Sequence, residues 1–276
     1  MTAVGTARTV IVAPRSVRAG ARAALTVAPP VLVVLGYELF ARSAASPYFP
    51  TVAQIAEAFV QTWGGEGFGK HVVPTLSNYA LGWTTGLLLG VVVGVLVGRV
   101  RTIDRLLRPI VAFALTLPGV ALLPVFLMVF GVNSSMQRAL IATSVFFLTV
   151  VNTSAGVRAT EHTLHDMADV YRIGGPRRLF LLTLPGAAPH IIAAARVSLS
   201  LALLVAIVSE MVGASRGIGA VTLLAQQEFV YTRMWAGIVL LSLLGICVNL
   251  LFALFERTVP VRLGLLAPTT QAGRAS

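Results

Sequence analysis

One glycine-rich stretch comes close to the spacing of a phosphate-binding loop. Gly64 is followed after four residues by Gly69 and Lys70, but His71 stands where a serine or threonine would hold magnesium. No β-strand is predicted ahead of this stretch, although a phosphate-binding loop follows one. We therefore predict that the chain is not an enzyme and does not hydrolyse ATP itself.

A second stretch matches the pattern of a nucleophilic serine. Gly213, Ser215 and Gly217 fit glycine-x-serine-x-glycine, which requires a sharp turn from strand to helix and a partner histidine. Here the pattern follows an apolar helix, and the predicted span at 235–255 contains no histidine. A membrane-bound hydrolase using Ser215 remains an alternative, but these absences disfavour it.

A pair of histidines has the spacing of some metal sites. His162 and His165 are three residues apart and lie beside Glu161 and Asp166, so a helix would place both imidazoles on one face. The sequence offers no further ligand at a fixed position. We read the group as the solvated start of a helix and predict no metal site and no cofactor.

Two charged residues stand inside one long apolar run. Arg196 and Glu210 are separated by about 21 Å on a straight helix, so they cannot pair with each other. Charges inside a membrane commonly line a cavity or bind another helix. Both residues are therefore candidates for lining a pathway between helices or for interhelix pairing. The alternative is that each side chain extends toward the nearer membrane surface.

The elements that position these residues are predicted membrane spans. Of the 276 residues, 57% are hydrophobic and 11% are charged, with a mean hydropathy of +0.87. A helix needs roughly 20 apolar residues to cross a bilayer, and six runs satisfy this condition, at about 24–41, 76–98, 109–131, 138–157, 187–212 and 235–255. This predicts an all-α integral membrane protein with six transmembrane helices within 24–258, and tails at 1–23 and 259–276.

The basic residues follow the predicted topology. A net charge of +11 would suit nucleic acid, but the lysines and arginines lie mostly at one side of the spans. Fifteen lie there: Arg8, Arg15, Arg18, Arg22, Arg99, Arg101, Arg105, Arg108, Arg158, Arg172, Arg177, Arg178, Arg257, Arg262 and Arg274. Five lie on the other side: Arg42, Lys70, Arg138, Arg216 and Arg233. Because cytoplasmic loops carry the excess of positive charge, both termini are predicted to be cytoplasmic, and no nucleic-acid partner is expected.

Glycines and prolines mark two of the spans. The second carries a glycine at every fourth position: Gly82, Gly86, Gly90, Gly94 and Gly98. Such a series lets another helix backbone approach closely, so we expect helix packing along it. In the third span, Pro118 and Pro124 each remove a backbone donor and bend the helix. These bends could line a pathway or only serve packing.

The segment at 158–185 is the longest inner loop. It mixes charges with Leu164, Met167, Val170 and Tyr171 at helical spacing, which predicts a short amphipathic helix. Such a helix suits docking into a groove on a partner protein.

Three stretches together resemble a known family. They are TLPGVALLPVFLMVFGV from Thr116, DMADVYRIGGPRRLFLLTLPGAAPHI from Asp166 and SEMVGASRGIGAVTLLAQQEFVYT from Ser209. They are similar to the permease subunits of bacterial ATP-binding cassette (ABC) importers, in the group that serves nitrate, sulfonate, taurine and related small solutes. The resemblance covers about residues 47–262 and implies a type I ABC importer permease (MetI-like) architecture in the bacterial plasma (inner) membrane.

The middle stretch resembles the coupling motif of that family, which reads Glu-Ala-Ala, three residues, Gly, and a spacer ending in Leu-Pro. Asp166 takes the place of the glutamate, whereas the usual glycine place falls on Arg172. The resemblance implies that this motif docks into the ATP-binding subunit. The residues it assigns to ATPase coupling are Asp166, Met167, Ala168, Tyr171, Arg172, Gly174, Gly175 and Pro185.

The resemblance also implies an assembly. It consists of a permease homodimer, two ABC ATP-binding subunits and an extracytoplasmic solute-binding protein, with the pathway for a small anion at the dimer axis. The alternative from another class is a self-sufficient secondary transporter, which requires inverted repeats and ionisable residues near the midplane of the bilayer. No repeat is apparent, and only Arg196 lies near the midplane.

Overall fold

The computed structural model describes residues 15–160, 167–212 and 214–262, and within these ranges every regular element is helical. The chain divides into two compact units, Met1–Ile55 and Ala56–Ser276. In the first unit, helix α1 (Arg15–Ala44) is followed by a short turn. The Tyr37 hydroxyl donates to the Pro50 carbonyl (2.9 Å), and the Val52 N–H donates to the Glu38 carboxylate (2.8 Å), so the turn folds back on α1.

The remaining helices run in chain order. Helix α2 (Val52–Trp63) crosses the boundary of the two units. The second unit then contains a π-helical turn (Phe68–Val72), α3 (Val73–Arg99), α4 (Arg101–Thr116), a 3₁₀ turn (Gly119–Leu122), α5 (Leu123–Phe130), α6 (Ser134–Ala159), α7 (Gly175–Arg178), a second π-helical turn (Leu179–Thr183), α8 (Leu184–Met211), α9 (Ile218–Gln227) and α10 (Tyr231–Arg262).

Four helices among the described residues are long and apolar enough to cross a membrane. They are Phe68–Arg99, Ser134–Ala159, Gly175–Met211 and Tyr231–Thr258. A fifth span results if the bent pair Arg101–Thr116 and Gly119–Phe130 counts as one. The chain is thus a multi-pass membrane protein, while the sixth span, predicted at 24–41 within α1, stays a prediction.

Two of the spans begin earlier than the sequence indicates. The predicted starts at 76 and 187 follow Pro74 and Pro185, but the helices continue upstream through the two π-helical turns. Each π turn ends two residues before its proline. Proline lacks the N–H that a helix needs and its ring crowds the preceding turn, and the wider π turn is one way to accommodate this without ending the helix.

The predicted span at 109–131 is not one continuous helix in the structure. The structure breaks it after Thr116 and bends it by 94°. Leu117 and Pro118 both have extended backbone conformations at this break, and extended geometry is favoured for a residue that precedes proline. Pro124 makes no kink, because it lies in the first turn of α5, where its missing N–H costs nothing.

The glycine series faces α6. A Cβ added at Gly90, Gly94 or Gly98 would lie 2.6 Å from the Cβ of Thr149, Thr153 or Val157 respectively. Gly82 and Gly86 approach Ile141 and Ala142 in the same way. The two helix backbones therefore pack along five successive turns at a separation that excludes side chains.

Helix α6 is the centre of the bundle, because α3 packs on one side of it and α8 on another. The apolar core beside the glycine series is formed by Leu140, Ile141 and Val145 of α6 with Ala202 and Val205 of α8, all of them buried. Helices α6 and α8 also approach each other closely at Gly156, where an added Cβ would lie 2.7 Å from the Cβ of His190. The buried faces of three helices thus hold the bundle together.

Candidate functional site

The coupling segment, which we define as the described residues 167–185, connects α6 to α8. Its first part is a helical turn at 167–170 that ends in two paired hydrogen bonds. The Arg172 N–H donates to the Asp169 carbonyl (3.1 Å), and the Ile173 N–H donates to the Ala168 carbonyl (2.7 Å). This pairing is the Schellman motif, which terminates helices. Asp166, predicted to begin the contact, lies outside the described residues.

Arg172 occupies the position in this motif that requires a left-handed backbone. Its φ is +53°, a conformation that glycine adopts at no steric cost. This explains in physical terms why the resembling family places glycine here. In this chain the arginine adopts the left-handed conformation at a conformational cost, and the helical turn ends there.

The helical turn presents an apolar face. Met167, Val170 and Tyr171 are 51%, 79% and 71% exposed, whereas Ala168 between them is buried. The turn is fixed to the rest of the segment by an ion pair between Arg178 and Asp169 (2.6 Å). Three large apolar side chains are therefore held outward on a short, anchored element.

The second half of the segment leads into α8. Gly174 precedes α7, and Gly175 has a φ of +57°, which again favours glycine. Pro185 lies in the first turn of α8, directly after the second π-helical turn. The predicted residues of the coupling segment are thus consecutive structural parts of one connection between two membrane helices.

Glu210, at the other end of α8, is completely enclosed at 2% exposed. Its Oε1 accepts a hydrogen bond from the Thr75 hydroxyl (2.6 Å), and its Oε2 accepts from the Gly219 N–H (2.9 Å). The Ile218 N–H donates to the Thr75 oxygen (3.1 Å). The carboxylate therefore lies at the start of α9, where the exposed backbone donors and the helix dipole favour negative charge.

This network has strict space requirements. A Cβ at Gly217 would lie 2.6 Å from both carboxylate oxygens of Glu210, and the φ of Gly217 is +126°. The partner residues of Glu210 were not predicted, because Thr75 precedes it by 135 positions and α9 was not expected as a separate helix. The only signal was the buried acid itself, followed by a glycine-rich loop.

Arg196 also has a partner on another helix. Its guanidinium lies 3.0 Å from the Glu256 carboxylate of α10. The Arg196 side chain is 57% exposed in the isolated chain, so the pair faces outward from the bundle rather than into a closed cavity. Arg196 and Glu210 are thus both paired between helices, and neither contacts the other.

The predicted pathway residues Pro118 and Pro124 flank the 3₁₀ turn at the break between α4 and α5. This turn rests on α6, where a Cβ at Gly119 would lie 2.9 Å from the Ser144 Cβ. The break therefore brings irregular backbone against the middle of α6. Irregular backbone at membrane depth is tolerated where it is buried in protein or lines a cavity.

The phosphate-loop-like stretch that ends at His71 and the glycine-x-serine-x-glycine loop that carries Ser215 lie beside each other in the structure without forming a reactive site. The Gly217 N–H donates to His71 Nδ1 (3.4 Å), so a histidine from outside the 235–255 span lies beside the loop that carries Ser215, which the sequence did not indicate. Ser215 itself is exposed. Among the described residues, no hydrogen bond joins Ser215 to His71, and no group of three metal-binding side chains occurs.

Other polar contacts between helices carry no signal in the sequence. The Asn78 amide donates to Gln137 (2.5 Å) and accepts from Arg138 (2.8 Å), while the Trp83 indole donates to Ser198 (2.9 Å). Each contact ties α3 to α6 or α8. They fix α3 relative to the two helices on which it packs.

Known proteins similar to this chain are membrane permeases. A putative aliphatic sulfonates transport permease protein of Bacillus subtilis is 31% identical over 75% of this chain and 75% of its own length. The taurine transport system permease protein of Escherichia coli is 25% identical over 83% of this chain and 86% of its own length. The nitrate import permease protein of Synechococcus elongatus is 26% identical over 60% of each chain.

A family model covers the helices that carry these features. The match extends over residues 86–260, from the middle of α3 to the end of α10. It includes the broken span, the coupling segment and Glu210 with the start of α9, although not Thr75, and it confirms the family that the three sequence stretches indicate. The chain belongs to the family of binding-protein-dependent transport system inner membrane components.

Proposed function

We propose that this chain is the membrane-spanning permease subunit of an ABC importer and that its coupling segment docks onto a separate ATP-binding subunit. The proposal rests on the exposed apolar side chains of Met167, Val170 and Tyr171. They lie on a helical turn that ends in a Schellman motif and is located between two membrane helices. Exposed apolar side chains on an ordered element mark a protein interaction site. The family membership supports the same partner.

The charges of the segment suit docking as well. Arg172 and Arg177 are exposed beside the apolar turn, so a groove that accepts the turn would carry acidic side chains at its rim. Asp166 belongs to this contact by resemblance. ATP hydrolysis is assigned to the partner subunit, because the chain has no phosphate-binding loop.

The topology follows from the same assignment. With the coupling segment in the cytoplasm, the fifteen basic residues listed above are also cytoplasmic, as the positive-inside rule requires. Both termini then lie in the cytoplasm, and six spans result when α1 crosses the membrane. A homodimer with the transport pathway at its axis, capped outside by a solute-binding protein, completes the assembly.

We propose a small anion of the sulfonate, taurine or nitrate class as the transported solute. The names of the three relatives support this class. Another relative, a bicarbonate transport system permease protein of Synechococcus elongatus that is 25% identical over 70% of this chain, extends the class to a further small anion. The excess of basic residues in the chain does not itself indicate an anionic solute, because these residues follow the membrane topology.

The docking proposal is tested by copurification. The chain is coexpressed with its ATP-binding subunit, and the amount of that subunit retained on the purified permease is measured for wild type, Asp166→Ala and Tyr171→Ala. We expect a loss of at least tenfold for Tyr171→Ala, because a buried aromatic anchor at an interface contributes about 2 kcal/mol. Phe68→Ala, which removes a half-exposed aromatic ring in the π-helical turn before α3, outside the coupling segment, should retain the subunit.

Uptake separates the importer from a secondary transporter. Proteoliposomes with the full complex and its binding protein should accumulate labelled taurine, sulfonate or nitrate only when ATP is supplied to the ATPase side. Accumulation by the purified chain alone, driven by an ion gradient, would contradict the proposal. ATP-dependent uptake of a cation or sugar instead would contradict only the solute class.

A further inference from the structure

A cleft between α4 and α6 combines a basic mouth with an apolar interior. It consists of two adjoining cavities of about 590 and 230 Å³, which share Asp104, Arg108, Ala112 and Arg158 as lining residues. The larger cavity is lined mainly by charged side chains, and the smaller one mainly by aliphatic side chains. The charged cavity lies toward the start of α4 and the end of α6, and the aliphatic cavity extends toward the end of α4 and the middle of α6.

The basic mouth arises from the spacing of charges in α4. Arg101, Asp104, Arg105 and Arg108 are placed at i, i+3, i+4 and i+7, which puts them on one face of the helix. Arg158 from the last turn of α6 joins them, so four arginines surround one aspartate. The formal charge of the mouth is therefore +3.

Asp104 neutralises only part of this charge. Its two oxygens bind Arg108 (2.6 Å) and Arg158 (3.0 Å). Among the described residues, Arg101 and Arg105 have no ion-pair partner, although both line the mouth. Two guanidinium groups are thus available to an anion, and guanidinium is the side chain best suited to bidentate binding of phosphate.

The interior of the cleft continues along the same helix faces. Past Arg108, successive turns of α4 contribute Ala112 and Leu115, and α6 contributes Val150. From Asp104 to Leu115 the cleft follows α4 for about 17 Å. A groove of this length, apolar on both walls and open at a basic end, matches a phospholipid, whose anionic head group is followed by an acyl chain.

We propose that this cleft binds an anionic phospholipid, with the phosphate of the head group at Arg101 and Arg105 and an acyl chain between α4 and α6. Basic pockets between membrane helices at the cytoplasmic surface are known to bind anionic head groups. The position of the mouth at that surface rests on the topology proposed above. The bound lipid would hold α4, which has no buried residue of its own, against α6.

The test uses the purified full chain in nanodiscs or micelles. Native mass spectrometry measures the retention of phosphatidylglycerol relative to phosphatidylcholine. We expect preferential retention by the wild type and a loss of roughly thirtyfold in affinity for the double variant Arg101→Gln/Arg105→Gln, since each basic residue near an anionic surface contributes a few-fold to tenfold. The matched control Arg177→Gln/Arg257→Gln removes the same charge from exposed positions outside the cleft and should retain the lipid.

A second variant separates a lipid from a free anion. Ala112→Phe fills the cleft without changing its charge, so it should abolish retention of phosphatidylglycerol while the arginines stay in place. Displacement of the lipid by millimolar phosphate or taurine, together with unchanged retention in Ala112→Phe, would assign the mouth to a soluble anion and overturn the proposal. Equal loss in the cleft and control variants would overturn it as well.

Discussion

The Thr75 hydroxyl lies 2.6 Å from the Glu210 carboxylate and connects the first turn of α3 to the last turn of α8 across 135 positions of sequence. The same carboxylate accepts from the start of α9. One buried acid therefore fixes the relative positions of three helices at the end of the bundle opposite the coupling segment.

Replacing Glu210 should destabilise the fold. In Glu210→Ala, the buried Gly219 N–H loses its acceptor and the Thr75 hydroxyl keeps only the His71 carbonyl at 3.0 Å, and an unsatisfied buried group costs about 1–3 kcal/mol. We expect the free energy of unfolding to fall by about 3 kcal/mol, measured by denaturant titration in micelles. Glu228→Ala, which removes an exposed carboxylate after α9, should change it by less than about 0.5 kcal/mol. Similar effects of the two variants would contradict the buried network.

A side chain on the glycine series should separate α3 from α6. In Gly90→Ala the new Cβ would lie 2.6 Å from the Thr149 Cβ, and overpacking of this kind costs about 1–3 kcal/mol. The midpoint of thermal unfolding in detergent should fall accordingly. The control is Gly245→Ala on α10, where the nearest atom to a new Cβ is a flexible leucine carbon at 3.6 Å. This variant should be neutral or slightly stabilising, because alanine favours helix.

Arg172 and Gly175 should respond to substitution with opposite signs. Both have a positive φ, +53° and +57°, so Arg172→Gly relieves backbone strain and Gly175→Ala introduces it, each by about 1 kcal/mol. Hydrogen exchange of the Ile173 N–H, which closes the Schellman motif, reports the change at Arg172. Protection should rise about fivefold in Arg172→Gly. Unchanged or weaker protection would show that the side chain, not the backbone, determines the turn.

Reversing the charges of the Arg196–Glu256 pair tests whether it joins α8 to α10. Arg196→Glu places two carboxylates together and should reduce stability, whereas Arg196→Glu combined with Glu256→Arg should recover most of the loss. A double-mutant cycle on unfolding free energies measures the interaction, which we expect to be about 1 kcal/mol because the pair is partly exposed. Additive effects would mean that the two residues act independently.

The sequence predicted the features that depend on periodicity. Apolar runs of bilayer length gave four of the spans, and the spacing of four between glycines indicated the face of α3 that meets α6. The amphipathic pattern after α6 predicted a short helix, and its amphipathic character together with the family resemblance suggested a docking role. Family membership followed from three local stretches.

Other features depend on contacts between distant residues or on local backbone geometry. The spans predicted to start at 76 and 187 begin earlier in the structure, because nothing in the sequence shows that a π-helical turn precedes Pro74 and Pro185. The 94° break at Leu117 appeared only as a bend. The partners of Glu210 and Arg196 lie 135 and 60 positions away, and a single sequence contains no signal for such pairs.

The close packing of α3 on α6 has a consequence for motion. The coupling segment continues directly into α8, and α8 packs on α6, so force applied to that segment reaches α6 through this contact. Five glycines interlocked with the ridges of α6 leave no room for the two helices to slide past each other. We therefore expect α3 and α6 to move together as one rigid unit. A displacement of the coupling segment would then be transmitted along these helices to Thr75 and Glu210 at the other end of the bundle.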